Sequence, residues 1–126
     1  MTRVRIRLTT FGETKSYPGL LMEESPGLLL RYEDEEGCLT EFYLHQEMAE
    51  IRRPSGIMTF CPGKEGEFPF ETPYGTLLFR LKTLHLSVEE GAGEIRYLLM
   101  DEAGELVGEN IIHLIYEKET EIGNHH

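Results

Sequence analysis

The chain has no tryptophan, only two cysteines, and 12 basic residues against 23 acidic ones in 126. Each shortage excludes something. A formal net charge of −11 repels phosphate backbones and anionic lipid, so neither nucleic acid nor a membrane surface is an expected partner. No apolar run approaches the roughly 18 residues of a membrane helix. Arg3, Arg5 and Arg7 interrupt the segment where a signal-peptide core would lie. Cys38 and Cys61 form no CxxC and have no histidine close by in sequence, so they read as reduced thiols in a cytoplasmic protein.

Catalytic and cofactor signatures are equally scarce. His45, His85 and His113 fall on separate predicted strands without ligand spacing, and neither HxxxH nor HExxH occurs. Gly91-Ala92-Gly93 lacks the lysine and following helix of a phosphate cradle and reads as a hairpin turn. The expectation is therefore no catalytic residue, no metal and no cofactor. The acidic residues cluster at Glu33 to Glu36, Glu89-Glu90 and Glu117 to Glu121, where turns or ends are predicted, as solvated loops do.

What the chain does have is alternation. Arg3 to Leu8 is strictly period-two, with Val4, Ile6 and Leu8 toward a core. Its three arginines share the other face and are expected to pair with glutamates on a neighbouring strand. Further strands are predicted over Ser16 to Glu23, bent or bulged at Pro18-Gly19, and over Leu28 to Tyr32, Cys38 to His45 and Met48 to Arg53. Ile57 to Phe60, a short extended piece at Gly66 to Glu71, Thr76 to Val88, Glu94 to Asp101 and Asn110 to Tyr116 follow. Pro54-Ser55-Gly56, Pro62-Gly63 and Thr72-Pro73-Tyr74-Gly75 supply turns between them. Only Gln46 to Arg53 admits a single helical turn. Eight to ten sequential strands predict an all-β, up-and-down antiparallel meander that closes into a barrel, because closure removes exposed edges. One domain spans residues 1–122, and His125-His126 reads as a purification-tag remnant.

Leu28 to Gly37 (LLLRYEDEEG), Met58-Thr59-Phe60, Thr72 to Leu77 (TPYGTL) and Gly93 to Tyr97 resemble the YwiB-like family of bacterial barrel proteins. The resemblance runs from Thr2 to Tyr116 and implies a lipocalin-like (calycin) barrel. It implies no reaction.

Alternation places Leu30 and Tyr32, then Leu77, Phe79 and Leu81, then Ile95, Tyr97 and Leu99 inside. The fourth strand is ambiguous, because Phe42 and Leu44 oppose Tyr43 and His45. Tyr32, Phe79 and Tyr97 are the candidate lining of an interior pocket for a small, partly apolar ligand. The last third breaks the pattern: Leu84, Leu86, Leu98 and Met100 fall on the outer side, and Ile111, Ile112, Leu114 and Ile115 make both faces of their strand apolar. Either a bulge near Thr83 switches the register, or a second copy covers the wall as a homodimer through Leu84, Leu98 and Ile115. Two functions follow: a barrel that binds a ligand inside, or a filled barrel that acts through its outer wall.

Overall fold

Side chains that alternate along a strand put one set inside and the other in water, and ten such strands carry this chain. The computed structural model describes residues 1–119. The domain end at 122 and His125-His126 lie outside the described residues. The strands are β1 (Thr2–Thr10), β2 (Glu13–Glu24), β3 (Gly27–Glu33), β4 (Leu39–Leu44), β5 (Ala49–Arg53), β6 (Gly56–Phe60), β7 (Glu65–Thr72), β8 (Gly75–Glu89), β9 (Ala92–Met100) and β10 (Leu106–Lys118). They form one antiparallel sheet in the order β6-β5-β4-β3-β2-β1-β10-β9-β8-β7. Each strand lies beside its sequence neighbour, and β1 pairs with β10. This is the expected up-and-down, lipocalin-like barrel.

The two free edges, β6 and β7, curl together without forming a ladder, so the barrel is nearly closed. One backbone hydrogen bond crosses this seam, and two more tie the β6–β7 turn to β8. The Glu71 N–H donates to Ser55 O at 3.1 Å, the Gly63 N–H to Thr83 O at 3.1 Å, and the Thr83 N–H to Lys64 O at 3.2 Å. Gly56 makes the seam possible, since a Cβ there would sit 2.6 Å from Pro69 O. Its φ of +155° also disfavours other residues.

Val4, Ile6, Leu30, Phe42, Phe60, Leu81 and Leu114 fill the centre, each almost inaccessible to water. On β4 the ambiguity resolves in favour of Thr40, Phe42 and Leu44 as the inner set. Tyr43 lies on the outer side under the Arg52 guanidinium, 5.2 Å from its ring centroid, in a cation–π contact. The register does switch in β8: Thr83 pairs with Tyr97 but His85 with Arg96, leaving Leu84 as the extra residue of a bulge. The bulge turns Leu86 and Val88 onto the core, after Leu81 and Thr83 have faced it. On β10, Ile112 and Leu114 point inward, whereas Ile111 and Ile115 stay on the surface.

Three expectations are corrected, and the helical alternative to the fifth strand is settled in favour of the strand. Leu77 is 52% exposed, because residues 75–79 pair only with β7 and project past the end of β9. Gln46 to Arg53 makes no helical turn: the His45 N–H donates to Met48 O, and β5 begins at Ala49. Pro18-Gly19 forms no bulge, because β2 keeps one register against β1 throughout. Gly19 is instead a close-approach site, where a Cβ would meet Ile6 Cδ1 at 2.6 Å and Arg31 O at 2.7 Å. The arginine row of β1 makes one ion pair among the described residues, Arg5 to Glu119 at 3.9 Å. The register sets Arg3 opposite Leu20, Arg5 opposite Glu117 and Arg7 opposite Ser16 and Ile115, and neither Arg3 nor Arg7 makes an ion pair among the described residues.

Candidate functional site

In an up-and-down barrel the turns alternate between two ends. The β1–β2, β3–β4, β5–β6, β7–β8 and β9–β10 turns gather at one of them, and there a cavity of about 460 Å³ opens. Its apolar wall comes from Leu8, Ile51, Met58 and Ile112; its polar groups include Tyr17, Tyr32, Tyr97, Arg53 and Asn110.

The opening lies where β2 outruns β3. The β2–β3 ladder ends at Gly19 and Tyr32, so Glu13 to Pro18 have a partner strand on one side only. Pro18, which lacks an N–H, costs little in such a half-paired stretch. The β3–β4 loop covers the gap. Asp34 Oδ1 ties the loop by accepting the N–H groups of Glu36 and Cys38, both at 2.9 Å. Glu35 then reaches back to β2, accepting from Tyr17 Oη at 2.8 Å and from Lys15 Nζ at 2.9 Å. Burial and then the Glu35 carboxylate push the Tyr17 phenol up to about 12. The same hydrogen bonds, from Lys15 first and Tyr17 second, hold the Glu35 carboxyl below its ordinary range.

Beneath this latch an aromatic column descends to the barrel floor. Tyr17 stacks on Tyr32 with centroids 4.6 Å apart, and Tyr32 on Phe42 at 6.1 Å. Across the cavity Tyr97 tilts against Phe60 at 5.0 Å. Tyr32 is 3% exposed and Tyr97 7%. Burial raises both phenols; Arg53 pulls both the other way, and so does Asn110 on Tyr97. Each tyrosine faces a threonine across its ladder, Thr40 opposite Tyr32 and Thr83 opposite Tyr97. Both threonines are buried, and neither hydroxyl has a hydrogen-bond partner among the described residues. Thr40 lies near enough to Tyr32 to ease its ionisation slightly, yet no hydrogen bond of good geometry joins them. A buried hydroxyl without a partner is uncommon and costly, and two of them flank the cavity tyrosines.

Arg53 differs from its neighbour. Arg52 is gripped by Glu24 and Glu50, each at 2.9 Å. Arg53 lines the cavity and makes no ion pair among the described residues. At the rim Phe11 sits in the left-handed region with φ +52° and is 85% exposed. A type I′ hairpin turn has positive φ at both positions, and with Gly12 at +74° a phenylalanine is the strained partner of the pair.

Of the three pocket residues expected from sequence, the fold brings Tyr32 and Tyr97 together at this cavity. Phe79 lies elsewhere, half-buried against Phe68 at 6.1 Å on the projecting β7–β8 hairpin. Tyr17, Arg53, Asn110 and Phe11 were not expected. Alternation from Gly19 back along β2 signals Tyr17, but nothing local marks Arg53, which ends a strand beside a turn.

The three histidines do not converge. His85 and His113 flank Glu94 on the outer wall at 3.8 and 3.7 Å, while His45 lies at the far end of the barrel. That end holds a second cavity of about 440 Å³, bordered by Leu28, His45, Gln46, Glu89, Glu90 and Tyr116. Cys38 and Cys61 are free thiols.

No curated protein matches this sequence. The crystal structure of the ywiB protein from Bacillus subtilis is similar, with a TM-score of 0.69 and 16% sequence identity over 93% of this chain and 92% of that one. At that identity the likeness concerns the fold alone. Residues 9–120 match the domain of unknown function DUF1934, and the chain, a YwiB-like barrel, belongs to that family.

Proposed function

We propose that this barrel is a binding protein that holds one small, partly apolar molecule in the cavity at its odd-to-even end. The observation that carries the reading is the composition of that cavity. A space of about 460 Å³ falls within the usual range of ligand sites, and its walls combine aliphatic side chains with a few convergent polar groups. The buried phenols of Tyr32 and Tyr97 give such a molecule both ring surface and hydroxyl groups. Native mass spectrometry of gently purified protein tests this. A small molecule released on denaturation supports it; chemically clean protein whose Tyr32 and Tyr97 signals ignore a small-molecule library rules it out. The two free thiols favour the cytoplasm as the setting, which cell fractionation checks.

A second reading rests on the outer wall. Leu84, Ile111 and Ile115 are 43%, 43% and 41% exposed there, on β8 and β10, with the partly covered Leu98 on β9 between them. Arg3 and Arg7, which make no ion pair among the described residues, run alongside on β1, on a protein of net charge −11. A second copy of the same chain suits such a wall, because its acids can meet those arginines. Analytical ultracentrifugation decides: a dimer abolished by Leu98→Lys or Ile115→Lys supports the reading. A monomer at all concentrations removes it.

A further inference from the structure

The geometry points to an anionic head on that ligand: a monocarboxylate whose charged group meets Arg53 between Tyr32 and Tyr97, with its apolar body against Ile51, Met58 and Ile112. The inference rests on the binding reading above and names the ligand's chemistry.

Among the described residues, Arg53 is the cavity cation that has no carboxylate partner. The other one, Lys15, is occupied by Glu35 at 2.9 Å. An acidic chain offers many partners for an arginine, and Arg52, one residue earlier, has taken two of them. Arg53 instead stands beside two buried phenols, whose hydroxyls donate to an acceptor as readily as its own fork does. A guanidinium, two phenol O–H groups and the Asn110 amide make a donor-rich wall with no fixed acceptor charge at its centre. A carboxylate is the group whose two oxygens match an arginine fork. Burial raises the phenols, which keeps them protonated and able to donate, in agreement with that role.

The rim limits the charge of the guest. Glu13, Asp34, Glu35 and Glu36 border the same cavity. Two of these carboxylates are already engaged, Asp34 by the loop backbone and Glu35 by Lys15 and Tyr17. One guanidinium neutralises one charge, so a monocarboxylate leaves no net charge among these rim acids, whereas a phosphate dianion leaves one. One negative charge on an apolar body is the combination that both the wall and the rim accept.

The test uses three probes with one tail and different heads: octanoate, octanol and octylamine, titrated calorimetrically into the full chain at pH 8. Octanoate is expected to bind about tenfold more tightly than octanol, the worth of one charge-assisted hydrogen bond. Arg53→Met should erase that preference, read as the ratio of octanoate to octanol affinity, whereas Arg53→Lys should keep part of it. If Arg53→Met does not fold, Tyr97→Phe reads the same preference with the core intact. Equal affinity of the wild type for acid and alcohol overturns the inference while leaving the cavity a binding site. So does an octanoate preference that survives Arg53→Met, or tightest binding of octylamine, which would make the acidic rim the selecting element. Binding of none of the three overturns both this inference and the reading beneath it.

Discussion

The barrel's two ends hold cavities of nearly equal volume, about 460 and 440 Å³, with walls that differ in kind. At the odd-to-even end, polar groups are buried: three tyrosines at 8% exposure or less, with unpartnered threonine hydroxyls behind two of them. At the other end the charged and amide groups, Glu89, Glu90 and Gln46, are at the surface, where water satisfies them. Space alone therefore does not single out a site. Desolvated polar groups distinguish the two ends, because each costs stability unless it finds a partner.

The largest expected contrast between the ends is in stability. Phe42, 1% exposed, supports the aromatic column under Tyr32. Phe42→Ala should cost about 3–5 kcal/mol, the usual figure for emptying a ring-sized core position. Leu28→Ala, at the border of the opposite cavity and only half-buried, should cost about 1 kcal/mol. Urea denaturation of both variants checks this. Comparable losses would mean that the two ends share one core and that the column has no special place in it.

A second contrast runs along the seam. At the mouth end, Gly56→Ala drives a Cβ to 2.6 Å from a backbone oxygen of Pro69, which cannot swing aside. The expected loss is about 2 kcal/mol, with weaker protection of the Glu71 amide against hydrogen exchange. Gly63, in the β6–β7 turn at the other end, has φ +74°, but a Cβ there would meet nothing within 4 Å. Gly63→Ala should therefore lose only about 1 kcal/mol, from backbone strain. If Gly63→Ala is the worse of the two, the turn that ties residues 63 and 64 to Thr83 on β8 matters more to the barrel than the close approach at the seam.

How much of this was legible in the sequence follows from which interactions are local. The ten strands and their turns were, since alternation and Pro-Gly chemistry act over a few residues. The bulge at Leu84 was legible as a choice, because Leu86 and Val88 disagree in phase with Leu77, Phe79 and Leu81. Tyr32 and Tyr97 were legible as inward-facing, because their strands alternate without interruption. Phe79 was misplaced for a non-local reason: period alone cannot tell that β9 stops at Met100, opposite Arg80, and leaves the next turn of the hairpin outside the barrel. Arg53 was invisible for a similar reason. Its place comes from the curl of the sheet, which puts the end of β5 on the cavity that Tyr32 and Tyr97 also line, and no residue near it in sequence encodes that meeting.

The buried threonines give a smaller, sharper comparison. Among the described residues they are the only buried side-chain groups without a partner, and both stand behind the mouth tyrosines. Thr40→Val and Thr83→Val should leave stability unchanged or raise it by up to about 1 kcal/mol, since each removes an unsatisfied hydroxyl. A loss larger than about 1 kcal/mol in either variant would show that the hydroxyl is satisfied in solution by water or by the cavity's guest.

The mildest effect is confined to the extremes of pH. The folded Tyr17 phenol is raised from 10.0 to about 12, so the proton is held more tightly in the folded chain than in the unfolded one. A group raised in this way contributes its full stability below pH 10.0, and that contribution is lost as the pH climbs toward about 12. Glu35 gives the opposite sign. Its lowered carboxyl adds stability above its ordinary value of 4.5, and the addition disappears as the pH falls through the folded value. The urea midpoint of the wild type should therefore decline on both flanks. Tyr17→Phe should flatten the alkaline flank and soften the acid one, because Glu35 keeps Lys15 but loses its second donor. An alkaline decline that persists unchanged in Tyr17→Phe would assign it to the deeper phenols, Tyr32 and Tyr97, and would make the latch over the mouth a surface contact with no share in holding the barrel together.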